Sequence, residues 1–295
     1  MNLITEIEDS VVFNEGKIML KRVITGIFII AVSVPIIIFS NTWVFPIAIA
    51  LISALCVYEL AHCMGLHKNI LLTAPLYICG LAFPFLQRMT ATVYVAAIAI
   101  MAAIFYVSYM FCYVIFSHGK ISYPDICTLG LTALYILFSL NAIIYIRDYN
   151  AYIAMLILIG SWVTDAMAYF TGRLFGKHKL APDVSPKKTI EGSIGGTIFG
   201  AGAFVLTGFL ISIFAENVAP NYIFLAISGL IIAVVSQAGD LIMSVIKRHY
   251  NIKDFGNIFP GHGGMLDRMD SVFSVTLALL AIIMFSMLTG IDLLY

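Results

Sequence analysis

The sequence predicts an all-α polytopic membrane protein of about nine transmembrane helices, with its N-terminus in the cytoplasm and its C-terminus on the outer side. Three observations carry this. First, 61% of the 295 residues are hydrophobic and only 11% are charged, with a mean hydropathy of +1.01; a soluble domain carries about a quarter charged residues. Second, the apolar excess runs the whole length of the chain, so one signal peptide does not account for it. At about 20 residues per span, there is room for nine or ten helices with short loops. Third, Lys and Arg are distributed with a strong sidedness. A soluble enzyme with a membrane tail, a disordered chain and an outer-membrane barrel of alternating ten-residue strands are all excluded.

Breaking the apolar runs at charges, prolines and glycines places the spans at 23–39, 43–63, 70–86, 90–116, 126–146, 152–174, 194–214, 222–246 and 272–294. The first and third are short, and Pro35 and Pro84 are candidate kinks. With the N-terminus inside, 14 of the 16 basic residues fall on the cytoplasmic side, and only Arg88 and Arg147 fall outside. This positive-inside bias supports the odd span count. No internal repeat is evident. The chain divides into a polar, acidic cytoplasmic extension (1–18), a set of N-terminal transmembrane helices (19–150) and a region (151–295) that carries two long cytoplasmic loops, 175–193 and 247–271.

The formal net charge is zero, which points to no nucleic-acid partner. Cys56, Cys63, Cys79, Cys112 and Cys127 show no metal-like spacing and read as small buried hydrophobes.

Carboxylates inside spans are costly and are functional candidates. Three qualify: Glu59, Asp165 and Asp240. Ser161, Asp165 and Gly172 fall close to one helical face. Asp240, Ser244 and Lys247 stand at i, i+4 and i+7, so a carboxylate, a hydroxyl and an ammonium share a face near the cytoplasmic end. Asp267 and Asp270 precede the last span, and Asp270 is the better placed to cap it. Converging carboxylates with lysines around them suit a hard divalent cation and a polyphosphate, because Mg²⁺ combines a few carboxylates with substrate phosphates.

The loops add phosphate-binding chemistry. Gly261-His262-Gly263-Gly264 allows backbone amides to approach an anion closely. Ser185-Pro186-Lys187-Lys188-Thr189 supplies two cations and two hydroxyls just before a helix start, although paired interfacial lysines also serve as topology signals. Gly192, Gly196 and Gly200, with Gly195 and Gly202 beside them, read as a smooth face for close helix packing.

These residues form a recognisable set. The window Ser244-Val-Ile-Lys247-Arg248, then Lys253-Asp254-Phe-Gly256, then Phe259-Pro260-Gly261-His262-Gly263-Gly264-Met265-Leu266-Asp267-Arg268-Met269-Asp270 resembles the signature of CDP-diacylglycerol synthases (phosphatidate cytidylyltransferases), without departure over 27 residues. Further similar blocks run from Ser161-Trp162 through Asp165, Gly172-Arg173, Gly176-Lys177, Ser185–Thr189, Glu191-Gly192 and Gly195-Gly196, and over Gln237-Ala238-Gly239-Asp240-Leu241. The resemblance is firm over 158–275, and the first 150 residues are similar mainly in hydropathy. Met19-Leu20-Lys21-Arg22-Val23-Ile24-Thr25 looks like the usual start of bacterial members, which makes residues 1–18 an extension or the product of an early start codon.

The resemblance implies an integral enzyme of the bacterial cytoplasmic membrane. It would join CTP and phosphatidic acid into CDP-diacylglycerol and pyrophosphate for phospholipid synthesis. Mg²⁺ is the implied cofactor, with a second metal or K⁺ beside it as a further option. The implied partners are CTP, phosphatidic acid and membrane lipids, and the family's frequent dimers make a second copy of the chain a candidate. On this reading Asp240 and Asp267 are the main metal carboxylates, with Asp165 and Asp270 next. Lys187, Lys188, Lys247, Arg248 and Arg268 neutralise phosphates. Ser185, Thr189 and Ser244 hydrogen-bond them, with His262, Gly263 and Gly264 at the substrate. The alternatives are a CTP-dependent lipid kinase and, from another class, a secondary transporter using intramembrane carboxylates.

Overall fold

A computed structural model describes residues 25–26, 31–90, 92–117, 121–215 and 218–294. Among these residues, eight helices are long and apolar enough to cross a membrane. They are α1 (Val44–Cys63), α2 (Ile70–Met89), α3 (Thr92–Phe116), α4 (Tyr123–Tyr149), α5 (Ala151–Phe175), α6 (Ile190–Phe214), α7 (Tyr222–His249) and α8 (Leu266–Thr289). Each matches one expected span. The expected first span, 23–39, lies partly outside the described residues, and its described part is helical over 31–38. The 1–18 extension lies wholly outside them.

The ends differ for identifiable reasons. At α4, Pro124 occupies a first-turn position that tolerates its missing N–H, and the helix continues through Arg147 and Asp148. α8 begins six residues before the apolar run, because Asp267, Arg268 and Asp270 are already helical. It stops at Gly290, whose φ of 71° takes the left-handed conformation that ends a helix. α2 is helical across both Pro75 and Pro84. α5, α6 and α7 are capped by Asn150, Thr189 and Asn221, whose side-chain oxygens accept amide N–H bonds from the first turn.

The loop before α6 is not featureless. It holds an antiparallel hairpin of β1 (Lys179–Ala181) and β2 (Ser185–Thr189), with Lys179 opposite Thr189 and Ala181 opposite Ser185. Among the described residues the all-α class stands, with this hairpin as a small exception.

α8 packs on α1, α4, α5 and α7, and α4 on α1, α2, α3, α5 and α8. Phe273, Val275, Leu279 and Ile283 on α8 are at most 1% exposed. α3 is peripheral, with only Val95, Tyr106 and Met110 buried. Its exposed apolar face includes Cys112; Cys63, Cys79 and Cys127 are partly exposed and only Cys56 is buried, which corrects the expectation that all five cysteines are buried.

The two outlying arginines act together at the end of the bundle away from the hairpin. Arg88 pairs with Asp148 at 2.6 Å and donates to Ser40 O at 2.8 Å. Arg147 donates to Ser40 Oγ at 3.0 Å and pairs with Asp148 at 3.1 Å. α2, α4 and the chain before α1 are thereby tied at one point. At the hairpin end, Tyr250 donates to Asp125 at 2.8 Å. Burial and that hydrogen bond hold its hydroxyl protonated well above the usual tyrosine range.

The glycine face of α6 packs on α5 and α7. A Cβ at Gly196 would lie 2.8 Å from Ala168 Cβ and 2.9 Å from Thr164 O, and one at Gly200 would lie 2.9 Å from Ala233 Cβ. Gly202 is corrected: nothing stands within 4 Å of its would-be Cβ, so it takes no part in this packing. Gly196→Ala is therefore expected to cost about 1–3 kcal/mol through overpacking, while Gly202→Ala is neutral or slightly stabilising. Thermal denaturation of the two purified variants side by side checks this; equal melting temperatures would contradict it.

Candidate active site

The close packing of α6 on α5 decides where Asp165 goes. Thr164 is fully buried against the glycine face, and the next residue is turned toward α8. There Ser271 Oγ donates to Asp165 Oδ2 at 3.0 Å and meets Ser161 Oγ at 2.6 Å. Ser271 N in turn donates to Asp270 Oδ1 at 2.9 Å. One serine of α8 thus holds two carboxylates from two helices. α7 brings the third: Asp240 Oδ2 pairs with Lys188 Nζ of β2 at 2.6 Å, and Ser244 Oγ lies 3.4 Å from Asp240 Oδ1.

The three carboxylates and Lys188 line one open cleft of about 460 Å³ at the end of the bundle that carries the hairpin, while Ser161, Ser244 and Ser271 stand behind its wall. Its walls include Asp165, Asp240, Asp267 and Asp270 on the helices, Ser185, Lys187, Lys188 and Thr189 on β2, and Arg268 at the start of α8. Thr189 Oγ1 accepts from Gly192 N at 3.1 Å, which leaves its hydroxyl proton for another acceptor. Expected residues from four separate elements meet here.

Others are engaged in contacts at the cleft wall or behind it. Lys247 is 8% exposed, donates to Asp267 Oδ1 at 2.9 Å and lies over the Phe255 ring at 5.5 Å. Asp267 is 7% exposed, and its Oδ2 accepts from Phe255 N at 2.8 Å and Gly264 N at 3.0 Å. This pair forms the core of the loop before α8. Arg248 donates to Val184 O and Ile252 O, both at 3.2 Å, and so binds the hairpin to the end of α7. His262, Gly263 and Gly264 do not reach the cleft walls. They make the turn in which Phe259 N donates to Gly263 O at 2.9 Å, and Gly261 and Gly263 have φ of 78° and 86°. Their glycines answer a conformational need, and the Gly264 amide is given to Asp267. Asp270 does not cap α8: it lies in the second turn, and Glu59 takes the amides of Met265 and Leu266 at the helix start.

Among the cleft residues not singled out as site candidates from the sequence are Tyr169, Arg173 and Gln237. The first two carried a readable signal. Asp165, Tyr169 and Arg173 are spaced by four, on one helical face, and Arg173 Nη1 donates to Tyr169 Oη at 3.3 Å. Gln237 donates to Ser193 O at 3.3 Å and Thr197 Oγ1 at 3.1 Å, bracing α7 on α6.

A multi-pass helical bundle with intramembrane carboxylates and a lysine hairpin at one end defines a membrane protein with a polar, phosphate-compatible cleft. The chain belongs to the Cytidylyltransferase family, whose model matches residues 20–287. Among its relatives, the phosphatidate cytidylyltransferase of Bacillus subtilis is 39% identical over 176 residues, covering 59% of this chain and 64% of that protein. That of Thermotoga maritima is 36% identical over 172 residues, covering 57% and 62%. That of Staphylococcus haemolyticus is 31% identical over 272 residues, 91% of this chain and the whole of that protein. The chain thus spans somewhat under two thirds of the first two relatives and the full length of the third.

Proposed function

We propose that this chain is the membrane cytidylyltransferase that joins CTP and phosphatidic acid into CDP-diacylglycerol, releasing pyrophosphate. The observation that carries the proposal is the union, in one open cleft at the helix ends, of the carboxylates of α5, α7 and α8 with Lys187 and Lys188. A lipid phosphate and a soluble nucleotide can meet only at such a boundary. The sidedness of Lys and Arg supports a cytoplasmic cleft in the bacterial cell membrane.

The cleft's donor chemistry fits Mg²⁺. Its carboxylates are hard oxygen donors, and among the described residues Asp165 Oδ1 and Asp270 Oδ2 carry no hydrogen bond. Among the described residues no three acidic, histidine or cysteine side chains stand together as a group able to hold a metal ion; Mg²⁺ is commonly held by one or two protein carboxylates, with water and substrate phosphates completing its shell. Asp240, with one of Asp165 and Asp270, would hold it. When bound, it supplies neutralisation of polyphosphate charge.

The transfer needs no dedicated base, because a phosphate monoester has a second pKa of about 6 and is already largely ionised. An oxygen of the acceptor phosphate forms a bond to the α-phosphorus of CTP, and the bond from that phosphorus to the bridging oxygen breaks. Charge accumulates on the departing pyrophosphate, where Lys187, Lys188, Arg173 and Arg268 offer cations. Ser185 and Thr189 offer hydroxyl donors.

The test is an assay of the purified protein with CTP labelled in the cytidine, phosphatidate and Mg²⁺. The expected result is a labelled lipid with equimolar pyrophosphate. Release of CDP with formation of a phosphorylated lipid would replace this reading by the lipid kinase.

A further inference from the structure

Two carboxylates organise the loop before α8, and one of them comes from the other half of the chain. Glu59 lies near the end of α1 and is 2% exposed. Its Oε1 accepts from Met265 N at 2.9 Å and its Oε2 from Leu266 N at 2.7 Å. Helix starts leave their first amides without partners, and the N-cap residue of α8, Met265, supplies no side-chain cap. Glu59 fills that role across more than 200 residues of sequence. The fit is close: a Cβ on Gly256 or on Gly264 would overlap the Glu59 carboxylate. Asp267 holds the same segment from the other side through Phe255 N and Gly264 N. Arg268 and Asp270 follow within the next turn, and both line the cleft, whereas Glu59 does not.

We infer that Glu59 is a positioning residue for the cleft. It clamps the start of α8 and so sets where Arg268 and Asp270 stand relative to Asp165, Asp240 and Lys188. The inference rests on the cytidylyl-transfer reading above for its catalytic consequence, and on the hydrogen bonds alone for the clamp. It also gives the N-terminal helices a role, since α1 supplies the fixed point on which the loop closes.

The experiment compares the full-length wild-type protein with Glu59→Gln, Glu59→Asp and Gly256→Ala, each purified in detergent, by amide hydrogen exchange and by turnover of CTP and phosphatidate. Glutamine replaces one of two acceptors by a donor facing an amide N–H. Exchange is expected to accelerate in peptides covering 256–268 and to stay at wild-type rates in 179–189. The kcat should fall by ~10- to 100-fold, the scale for residues that orient ligating groups, with KM for CTP little changed. Glu59→Asp should recover part of the kcat. Gly256→Ala, which presses on the same carboxylate from outside, should reproduce the local exchange and the fall in kcat; it serves as the test if Glu59→Gln does not fold. A wild-type kcat in a folded variant whose 256–268 exchange is accelerated would overturn the inference. So would acceleration spread evenly over the molecule, the mark of general destabilisation. A wild-type protein that does not turn over CTP with phosphatidate would defeat the reaction reading. Exchange would then decide the clamp: acceleration confined to 256–268 supports it, and its absence overturns it.

Discussion

Asp240→Asn is expected to lower Mg²⁺-dependent turnover of CTP and phosphatidate by about two to three orders of magnitude, the scale for removing an electrostatic group at a reacting centre, while leaving the protein folded. Asp240 is the carboxylate on which the most depends. It faces Lys188 at 2.6 Å on one side and Ser244 on the other, and it lines the cleft with Asp165 and Asp270. Replacing it removes the counter-charge that faces Lys188 and, on the proposed reading, a metal donor. Stability should fall modestly. The Lys188 Nζ atom is shielded from solvent within the pair, so the cost exceeds the ~1 kcal/mol of an exposed pair. The two side chains nevertheless remain 24% and 26% exposed, and the freed lysine can swing into the open cleft, which keeps the cost below the ~3–5 kcal/mol of a fully buried pair. Turnover across a Mg²⁺ titration, set beside a thermal melt, checks both halves. Near-wild-type turnover at ordinary Mg²⁺ in a protein of unchanged melting temperature would remove Asp240 from the centre of the site.

The parts of this molecule that sequence made readable are those where the membrane leaves few choices. A span must be a long apolar run, so all eight described membrane helices were visible, and a charge within one needs a reason, which singled out Asp165 and Asp240. Helix ends were less visible. Asp267, Arg268 and Asp270 break the apolar run without breaking the helix, since a helix tolerates charge wherever solvent reaches it. The hairpin was hidden because Ser185-Pro186-Lys187-Lys188-Thr189 has little of the β-branched and aromatic content that marks a strand. Gly263 and Gly264 show a different limit. A glycine in sequence reports that a side chain is unwelcome, but not whether an anion, a turn or a neighbouring carboxylate needs the space. Glu59 was visible as a costly charge, yet its partners are amides of Met265 and Leu266, a contact that no local pattern encodes.

Asp267 and Lys247 are the pair for which sequence and structure suggest different work, and a double-mutant cycle separates the two. The sequence resemblance makes Asp267 a leading metal carboxylate. In the structure its oxygens accept three bonds, from Lys247 and two amides, and the side chains of the pair are only 3% and 10% exposed. Removing one partner of a buried pair strands the other charge. Asp267→Asn is therefore expected to cost about 3–5 kcal/mol and to abolish most turnover. Adding Lys247→Met removes the stranded ammonium and keeps an unbranched side chain against Phe255. The double variant should recover most of the lost stability, because replacing both members of a buried ion pair is often neutral. If Asp267 acts by shaping the loop, turnover should return in proportion to stability, since asparagine still offers an oxygen to the Phe255 and Gly264 amides. Thermal melts and turnover of the four proteins measure the coupling. A double variant as stable as wild type but still inactive would place Asp267 back among the metal carboxylates, with Lys247 holding its charge in reserve.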